Sequence, residues 1–535
     1  MKYSPVQLES AKKLGFGPTN LLVTDGVDIN DSRSKADYMK TLLEMIDEDA
    51  KKRLRLPEGK LPHDNMVRYR RYVKAWRQQL QAYHRDGYSG LEVCQAQTRV
   101  LDAMLIRLYQ DVKRVYQEES GESKVPAVAL VALGGYGRRE LNPFSDIDLM
   151  FLHDGRLLKG EEQHPFLKLI VEHILYTLYD IPFKVGHSVR TLNECVEVAN
   201  QDMLAKTSLI ETRRIAGSRS LYSELQKQIF QECIRHHEHQ YIRDRQEDQI
   251  RRHEKYGNSP TMLEPDLKNG CGGLRDFHNL IWLAWFKLRT WNLEELRKSG
   301  HLTERELTQV RKAHDFLLRV RNDLHYLTNR ATDILFKAVQ PTVAKHLGFK
   351  DKSPARRIEK FMKELYTHMR NIHLISNTLE QRFALAPEKG ILPSLTSLFR
   401  RKSYTIDGFR VVDGWVRAPQ VSVFLRDPGR LMRLFLVVQQ RGLSMHPDLI
   451  HRLRELVSLS NDDFRRNPLV RDTFLDILHQ RGAVAPILRI MHETGLLGDY
   501  LPEFGKLTCL VQHEFFHRYA ADEHTLVCIE ELDKV

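Results

Sequence analysis

The sequence has no long apolar run, no cysteine pair at metal-binding spacing and no block of a single charge, and each absence removes a class of protein. No stretch approaches the roughly 18 apolar residues that a membrane-spanning helix needs. The opening MKYSPVQLESAKKLGFG has no apolar centre of the kind a secretion signal carries. Six cysteines, at 94, 195, 233, 271, 509 and 528, form no CxxC pair. That scatter argues against a zinc ribbon and a disulfide framework, and suits reduced thiols in a cytoplasmic protein. The net charge is +12, yet 70 acidic residues are interspersed with 82 basic ones. A solvated surface with some anion sites fits this better than a nucleic-acid groove, whose phosphate contacts call for clustered Lys and Arg. Internal repeats and low-complexity tracts are missing as well.

What remains is an ordinary globular composition, 42% hydrophobic and 28% charged, over 535 residues, enough for about three or four domains. Residues 1–120 read as helical, with Leu101, Met104, Leu105 and Leu108 at amphipathic spacing in LEVCQAQTRVLDAMLIRLYQDV. Residues 121–222 change texture: PAVALVAL, DIDLMFL, VGHSVRT and TSLIETRRIAG read as strands, with HPFLKLIVEHILYTLYD as a helix between them. Residues 223–390 return to long charged helices, interrupted by the glycine-rich EPDLKNGCGGLRDF. A break rich in turn residues, APEKGILPSLTSLFRRKSYTIDG, leads to a last helical region, 405–535. The HHEH run at 236–239 is flanked by charge and reads as a solvated face rather than a metal site. The expected class is α+β, predominantly helical, with a small mixed-sheet domain flanked by helical domains.

The chemistry concentrates in VALGGYGRRELNPFSDIDLMFLHD, residues 131–154. In a strand, residues i and i+2 share a face, so Asp146 and Asp148 project together while Ile147, Leu149 and Phe151 face the core. Two carboxylates this close repel unless a divalent cation compensates them, and Mg²⁺ takes hard oxygen ligands while leaving positions for phosphate oxygens. Gly134 and Gly135 follow a strand and permit the close backbone approach that a Cβ blocks. Arg138 and Arg139 add positive charge nearby. These parts together describe metal-assisted phosphoryl transfer.

GGYGRRELNPFSDIDLMFL resembles the signature of the polymerase-β-like nucleotidyltransferase superfamily, and within it the PII-protein uridylyltransferase/uridylyl-removing enzymes. RHEKYGNSPTMLEPDLKNGCGGLRDFHNLIW resembles that family's next segment, with Glu264, Lys268, Gly272, Gly273, Leu274, Arg275 and Asp276 in matching order, and FLLRVRNDLHYLTNRATD its following helix, read as structural. The resemblance implies a polymerase-β-like domain that transfers UMP from UTP to a tyrosine of the nitrogen-regulatory PII protein; the apolar and charge patterns above add the expectations of no membrane and of a protein in place of a nucleic-acid partner. It implies Asp146 and Asp148 as catalytic Mg²⁺ ligands, and Gly134, Gly135, Arg138, Ser145, Lys268 and Arg275 as nucleotide-binding residues. The family has Gly where this chain has Arg139. The superfamily's third carboxylate has no counterpart in VGHSVRT, which leaves Glu211 as the candidate, with pairing to Arg213 or Arg214 as the alternative. MHETGLLGDYLPEFGKLTCLVQHEFFHRYAADEHTLVCIEELDKV resembles the entry to the family's HD phosphohydrolase domain, His524 matching its first metal-ligand histidine, with His513 and His517 upstream. The sequence ends before a His-Asp doublet and before the family's ACT domains, so the expectation is an incomplete HD domain without uridylyl-removing activity. Two alternatives stay open: a nucleotidyltransferase acting on RNA or a small molecule, and an inactive nucleotide-binding regulator.

Overall fold

The computed structural model describes residues 29–535 except 58–59, 61, 157, 160–161, 182, 386–402, 418–419 and 511–519. Helices dominate and two small four-stranded sheets accompany them, the predominantly helical α+β class expected. None of the described helices is long and apolar enough to cross a membrane. The described chain forms two compact units. One holds residues up to Glu247 with Ala284–Leu307 and His314–Leu335; the other holds Asp248–Leu283, Thr308–Ala313 and Phe336–Val535.

In the first unit, helices α1 (Ile29–Arg53), α2 (Met66–Arg85) and α3 (Gly90–Ser120) precede the sheet. Ser89 starts α3 with a capping box: its hydroxyl accepts from the Glu92 amide, and the Glu92 carboxylate accepts from the Ser89 amide. Gly121, at φ +70°, ends it in a left-handed turn. The sheet comprises β1 (Val128–Ala132), β2 (Ile147–His153), β3 (Val185–Thr191) and β4 (Arg213–Gly217) in the order β3-β2-β1-β4. β1 is antiparallel to β2 and β4, and β3 runs parallel to β2. Phe166, Ile170, Ile174 and Leu178 of α4 (Pro165–Asp180) join Leu130, Ile147, Leu149 and Phe151 of the sheet, with Met104, Leu105 and Leu108 of α3, in one buried core. Each such side chain, fully buried, contributes about 1.5–3 kcal/mol.

The segment TSLIETRRIAG, expected as one strand, splits. Its first residues belong to α5 (Met203–Ile210), and only Arg213–Gly217 is extended. Asp202 decides this, because its carboxylate accepts from the Leu204 and Ala205 amides and caps a helix there. The HHEH run straddles a break before α6 (Glu238–Tyr256): His236 sits at φ +70°, and His236 and His237 are exposed.

In the second unit, the region expected to be helical from 405 onward carries the second sheet. It is built from β5 (Ser403–Ile406), β6 (Phe409–Val412), β7 (Trp415–Val416) and β8 (Ser444–Met445), in the order β8-β7-β6-β5. Asp407-Gly408 and Asp413-Gly414 make its turns with all four φ angles positive, between 49° and 81°, as two-residue hairpin turns require. Phe409 and Val411 of β6 join Phe424, Leu434, Phe435 and Leu449 in one buried cluster.

Candidate functional site

The β1–turn–β2 segment presents Asp146 and Asp148 side by side at the start of β2, both exposed, while Ile147, Leu149 and Phe151 are buried. The Leu133 amide donates to the Asp148 carbonyl at 3.0 Å, which fixes the turn against the strand. Gly134, at φ +53°, begins a brief helical turn, Gly134–Gly137. A Cβ on Gly134 would lie 3.5 Å from Asp148 Oδ2, and one on Gly186, the β3 partner of Asp148, would lie 2.5 Å from Oδ1. The Asp148 carboxylate thus occupies a seat cleared by two glycines. Sequence reasoning found the first glycine and missed the second. Next to the pair, Ser145 Oγ is buried and has no hydrogen-bond partner among the described residues. Two exposed carboxylates on one face are the hard oxygen donors a divalent cation takes.

Arg138 and Glu211 are brought together with each other. Arg138 Nη1 donates to both Glu211 oxygens at 2.8 Å, and its Nε donates to Glu140 Oε2 at 2.9 Å. The three side chains are between 2% and 9% exposed. Burial disfavours the guanidinium, but Glu211 and Glu140 outweigh it and raise its pKa above the ordinary value. Glu211 follows α5 rather than lying in a strand, and its carbonyl crowds Gly137, where a Cβ would come within 2.2 Å. Arg139, where the family has Gly, sits at φ +63°. That is the left-handed region glycine enters without cost.

Two further sets of buried contacts brace the turn. Tyr136 donates to Asp102 Oδ1 at 2.7 Å, and Arg213 grips the Asp102 carboxylate at 2.8 and 3.0 Å. Arg213 therefore pairs with Asp102 of α3. Asn142 donates to Asn322 Oδ1 at 2.7 Å and accepts from Arg321, whose Nε donates to Asp333 at 2.7 Å. The Phe144 amide donates to His325 Nδ1 at 3.3 Å. Arg321, Asn322 and His325 lie on α8 (Glu304–Thr328, α7 being Leu274–Leu288). The helix read as structural therefore holds the loop that delivers Asp146, a role no local pattern announced. Asp323 lies 3.4 Å from His84.

Lys268, in the turn before α7, and Arg275, in the first turn of α7, belong to the second unit. The Arg275 amide donates to the Lys268 carbonyl at 2.8 Å, and the Arg275 guanidinium lies 5.6 Å from the Trp282 ring centre. Glu264 accepts from the Lys337 amide at 2.8 Å. His524 is exposed, with Cys528 Sγ 3.7 Å from its Nδ1. His513 and His517 lie outside the described residues.

A family model described as GlnD PII-uridylyltransferase matches residues 240–380, and one described as uridylyltransferase GlnD third domain matches 409–500. A third, glutamate-ammonia ligase adenylyltransferase, matches residues 63–168, which include Gly134 to Asp148. Among curated proteins, the bifunctional uridylyltransferase/uridylyl-removing enzymes of two strains of Caulobacter vibrioides, NA1000 / CB15N and ATCC 19089, are each 33% identical over 452 residues. Those residues are 82% of this chain and 47% of each relative, so the chain spans about half the length of the curated relatives it matches.

Proposed function

The chain belongs to the PII-uridylyltransferase family, and on that premise we propose that it transfers UMP from UTP to a tyrosine hydroxyl of a small nitrogen-regulatory PII protein, releasing pyrophosphate. The observation that carries this reading is the exposed pair Asp146 and Asp148 beside the Gly134-Gly135 turn. In the reaction the acceptor oxygen attacks the α-phosphorus, the bond from that phosphorus to the β-phosphate breaks, and the hydroxyl proton is lost. Asp146 and Asp148 would hold a divalent cation, Mg²⁺ in this reading, which when bound neutralises phosphate charge and lowers the pKa of the attacking phenol. Gly134 and Gly135 let the triphosphate approach the backbone, and the Ser145 hydroxyl has a hydrogen bond to offer it. For Arg138 and Glu211 the pairing favours a positioning role over the phosphate contact and third carboxylate expected of them. Lys268 and Arg275 are assigned to the nucleotide through their place in the family motif. The reaction is placed in the cytoplasm, where six cysteines without a disulfide are at home.

Uridylyl removal, the second activity in the relatives' names, is not part of the proposal. The adenylyltransferase match over 63–168 favours ATP as a second donor to test. The experiment is incubation of the chain with labelled UTP, ATP or CTP, Mg²⁺ and a PII-type protein, beside Asp146→Asn. Label passing from UTP, and lost in the variant, supports the proposal. Preference for ATP changes the base, and no transfer from any nucleotide, or equal transfer by Asp146→Asn, overturns it.

A further inference from the structure

In the second unit, three segments converge on a buried set of metal-ligating groups that the transfer reaction does not use. His253 comes from the last turn of α6, Cys271 from the turn before α7, Asp276 from the first turn of α7, and His373 from α9 (Pro354–Leu385). His253 Nε2 lies 3.1 and 3.0 Å from the two Asp276 oxygens, and Cys271 Sγ lies 3.1 Å from His373 Nδ1. One ligand atom from each of His253, Cys271 and Asp276 can be chosen so that all three fall within 4.8 Å of one another. The two imidazole ring centres are 6.0 Å apart. The convergence is imposed by close packing: a Cβ on Gly272, at φ +74°, would come within 2.1 Å of the Met369 carbonyl. The glycine lets the turn press onto α9, one helical turn before His373.

We propose that His253, Cys271, Asp276 and His373 form a structural zinc site that ties α6, the glycine-rich turn, α7 and α9 together. The donor set argues for the metal: thiolate and imidazole select zinc, whereas Mg²⁺ and Ca²⁺ take oxygen. Zinc bonds of about 2.0–2.3 Å place tetrahedral ligands roughly 3.3–3.6 Å apart, a few tenths of an ångström beyond the 3.0–3.1 Å separations found here. Arg252, which donates to Asp276 at 2.5 Å, and the Gly272 amide, which donates at 2.7 Å, would remain as outer partners orienting the carboxylate. On binding, the Cys271 S–H bond breaks, a sulfur–zinc bond forms and the proton leaves to water. Asp276 and Cys271 are 0% and 1% exposed, while the His253 side chain, at 12%, leaves a way in. Cys271 is one of the scattered cysteines, and no CxxC spacing marks it because the fold, not the sequence, assembles the cluster.

The test is metal analysis of the full chain, purified without a metal-binding tag and passed through gel filtration after exposure to Zn²⁺. One zinc per chain is expected, and Co²⁺ in its place should show a thiolate-to-cobalt charge-transfer band. Cys271→Ser should weaken zinc binding by at least about tenfold, while Cys509→Ser, altering another buried cysteine, should leave it unchanged. If Cys271→Ser does not fold, the cobalt spectrum of the unaltered chain decides the matter alone. No stoichiometric zinc, no thiolate band, or zinc retained with unchanged affinity by folded Cys271→Ser overturns the proposal. None of these results depends on nucleotide transfer.

Discussion

Replacing Arg138 by Met separates a bracing role from a catalytic one. The substitution keeps most of the side-chain volume and removes the cation that three contacts surround, at 2.9 Å to Glu140 and 2.8 Å to each Glu211 oxygen. Both carboxylate side chains are 2% exposed, so their charge would be left in the interior without the partner that offsets it. Glu140 retains His314, 3.3 Å away, whereas Glu211 loses a bidentate partner. Breaking a buried pair in this way costs about 3–5 kcal/mol, a large part of the roughly 5–15 kcal/mol that holds a domain folded. Arg138→Lys should recover less than half of the loss, since one ammonium cannot reproduce the fork that spans two carboxylates. The assay is urea denaturation of the full chain followed by circular dichroism. A loss below about 1 kcal/mol would refute the bracing argument, because surface pairs are worth no more than that. Glu211→Gln supplies the functional half. As a brace it should lower stability by about 1–3 kcal/mol and leave the Mg²⁺ requirement for transfer unchanged. A requirement raised roughly tenfold or more, as loss of a metal ligand would produce, would restore Glu211 as the third carboxylate.

Other outcomes follow from the same geometry. Gly186→Ala places a Cβ 2.5 Å from Asp148 Oδ1, the end of a movable side chain; stability should change by less than about 1 kcal/mol, yet transfer should fall at least about tenfold as the carboxylate is displaced, measured as kcat at saturating UTP. Gly90→Ala meets backbone instead, 2.3 Å from the Arg319 nitrogen, and should cost about 3 kcal/mol in denaturation. At Arg139, φ +63°, the Gly variant should be more stable than the Ala variant by about 1 kcal/mol. Burial raises the Glu493 carboxyl above its ordinary pKa, against the opposing charges of Arg454, Arg370, Arg489 and His492. A raised folded pKa gives stability that is complete below the unfolded value and is lost as pH rises through the folded one. Glu493→Gln should therefore gain on the unaltered chain between pH 4 and pH 8, and parallel melting curves across that range would refute the assignment.

How much of this was legible depended on the range of the interactions. The period of two in β2 was enough to turn Asp146 and Asp148 outward and Ile147, Leu149 and Phe151 inward. It did not reveal that Met150 and Leu152 are buried on the aspartate side, where Cys195 Sγ reaches Met150 Sδ at 3.5 Å. Glu211 was placed on a strand because Thr207 and Ile210 are β-branched, but the cap from Asp202 overrides that propensity. The second sheet was missed because its strands are two to four residues long, too short for periodicity, although two Asp-Gly pairs advertised its turns. The contacts of Asn142 with Arg321 and Asn322 join residues about 180 positions apart, and nothing local encodes them.

The placement of charge explains why the aspartates stand where they do. Arg138 with Glu140 and Glu211, and Arg213 with Asp102, form buried pairs that brace the turn and the strands carrying it. Buried charges that are satisfied resist movement, since any displacement exposes an uncompensated group to low dielectric. The two aspartates are exposed, so water can stabilise their charge and a cation can replace that water without rebuilding the scaffold. A site assembled this way is stiff before its ligand arrives, and little of the ligand's binding energy is spent on ordering it. That division of labour is why weakening the Arg138 brace should affect folding first, and why a methyl group at Gly186 should affect chemistry first.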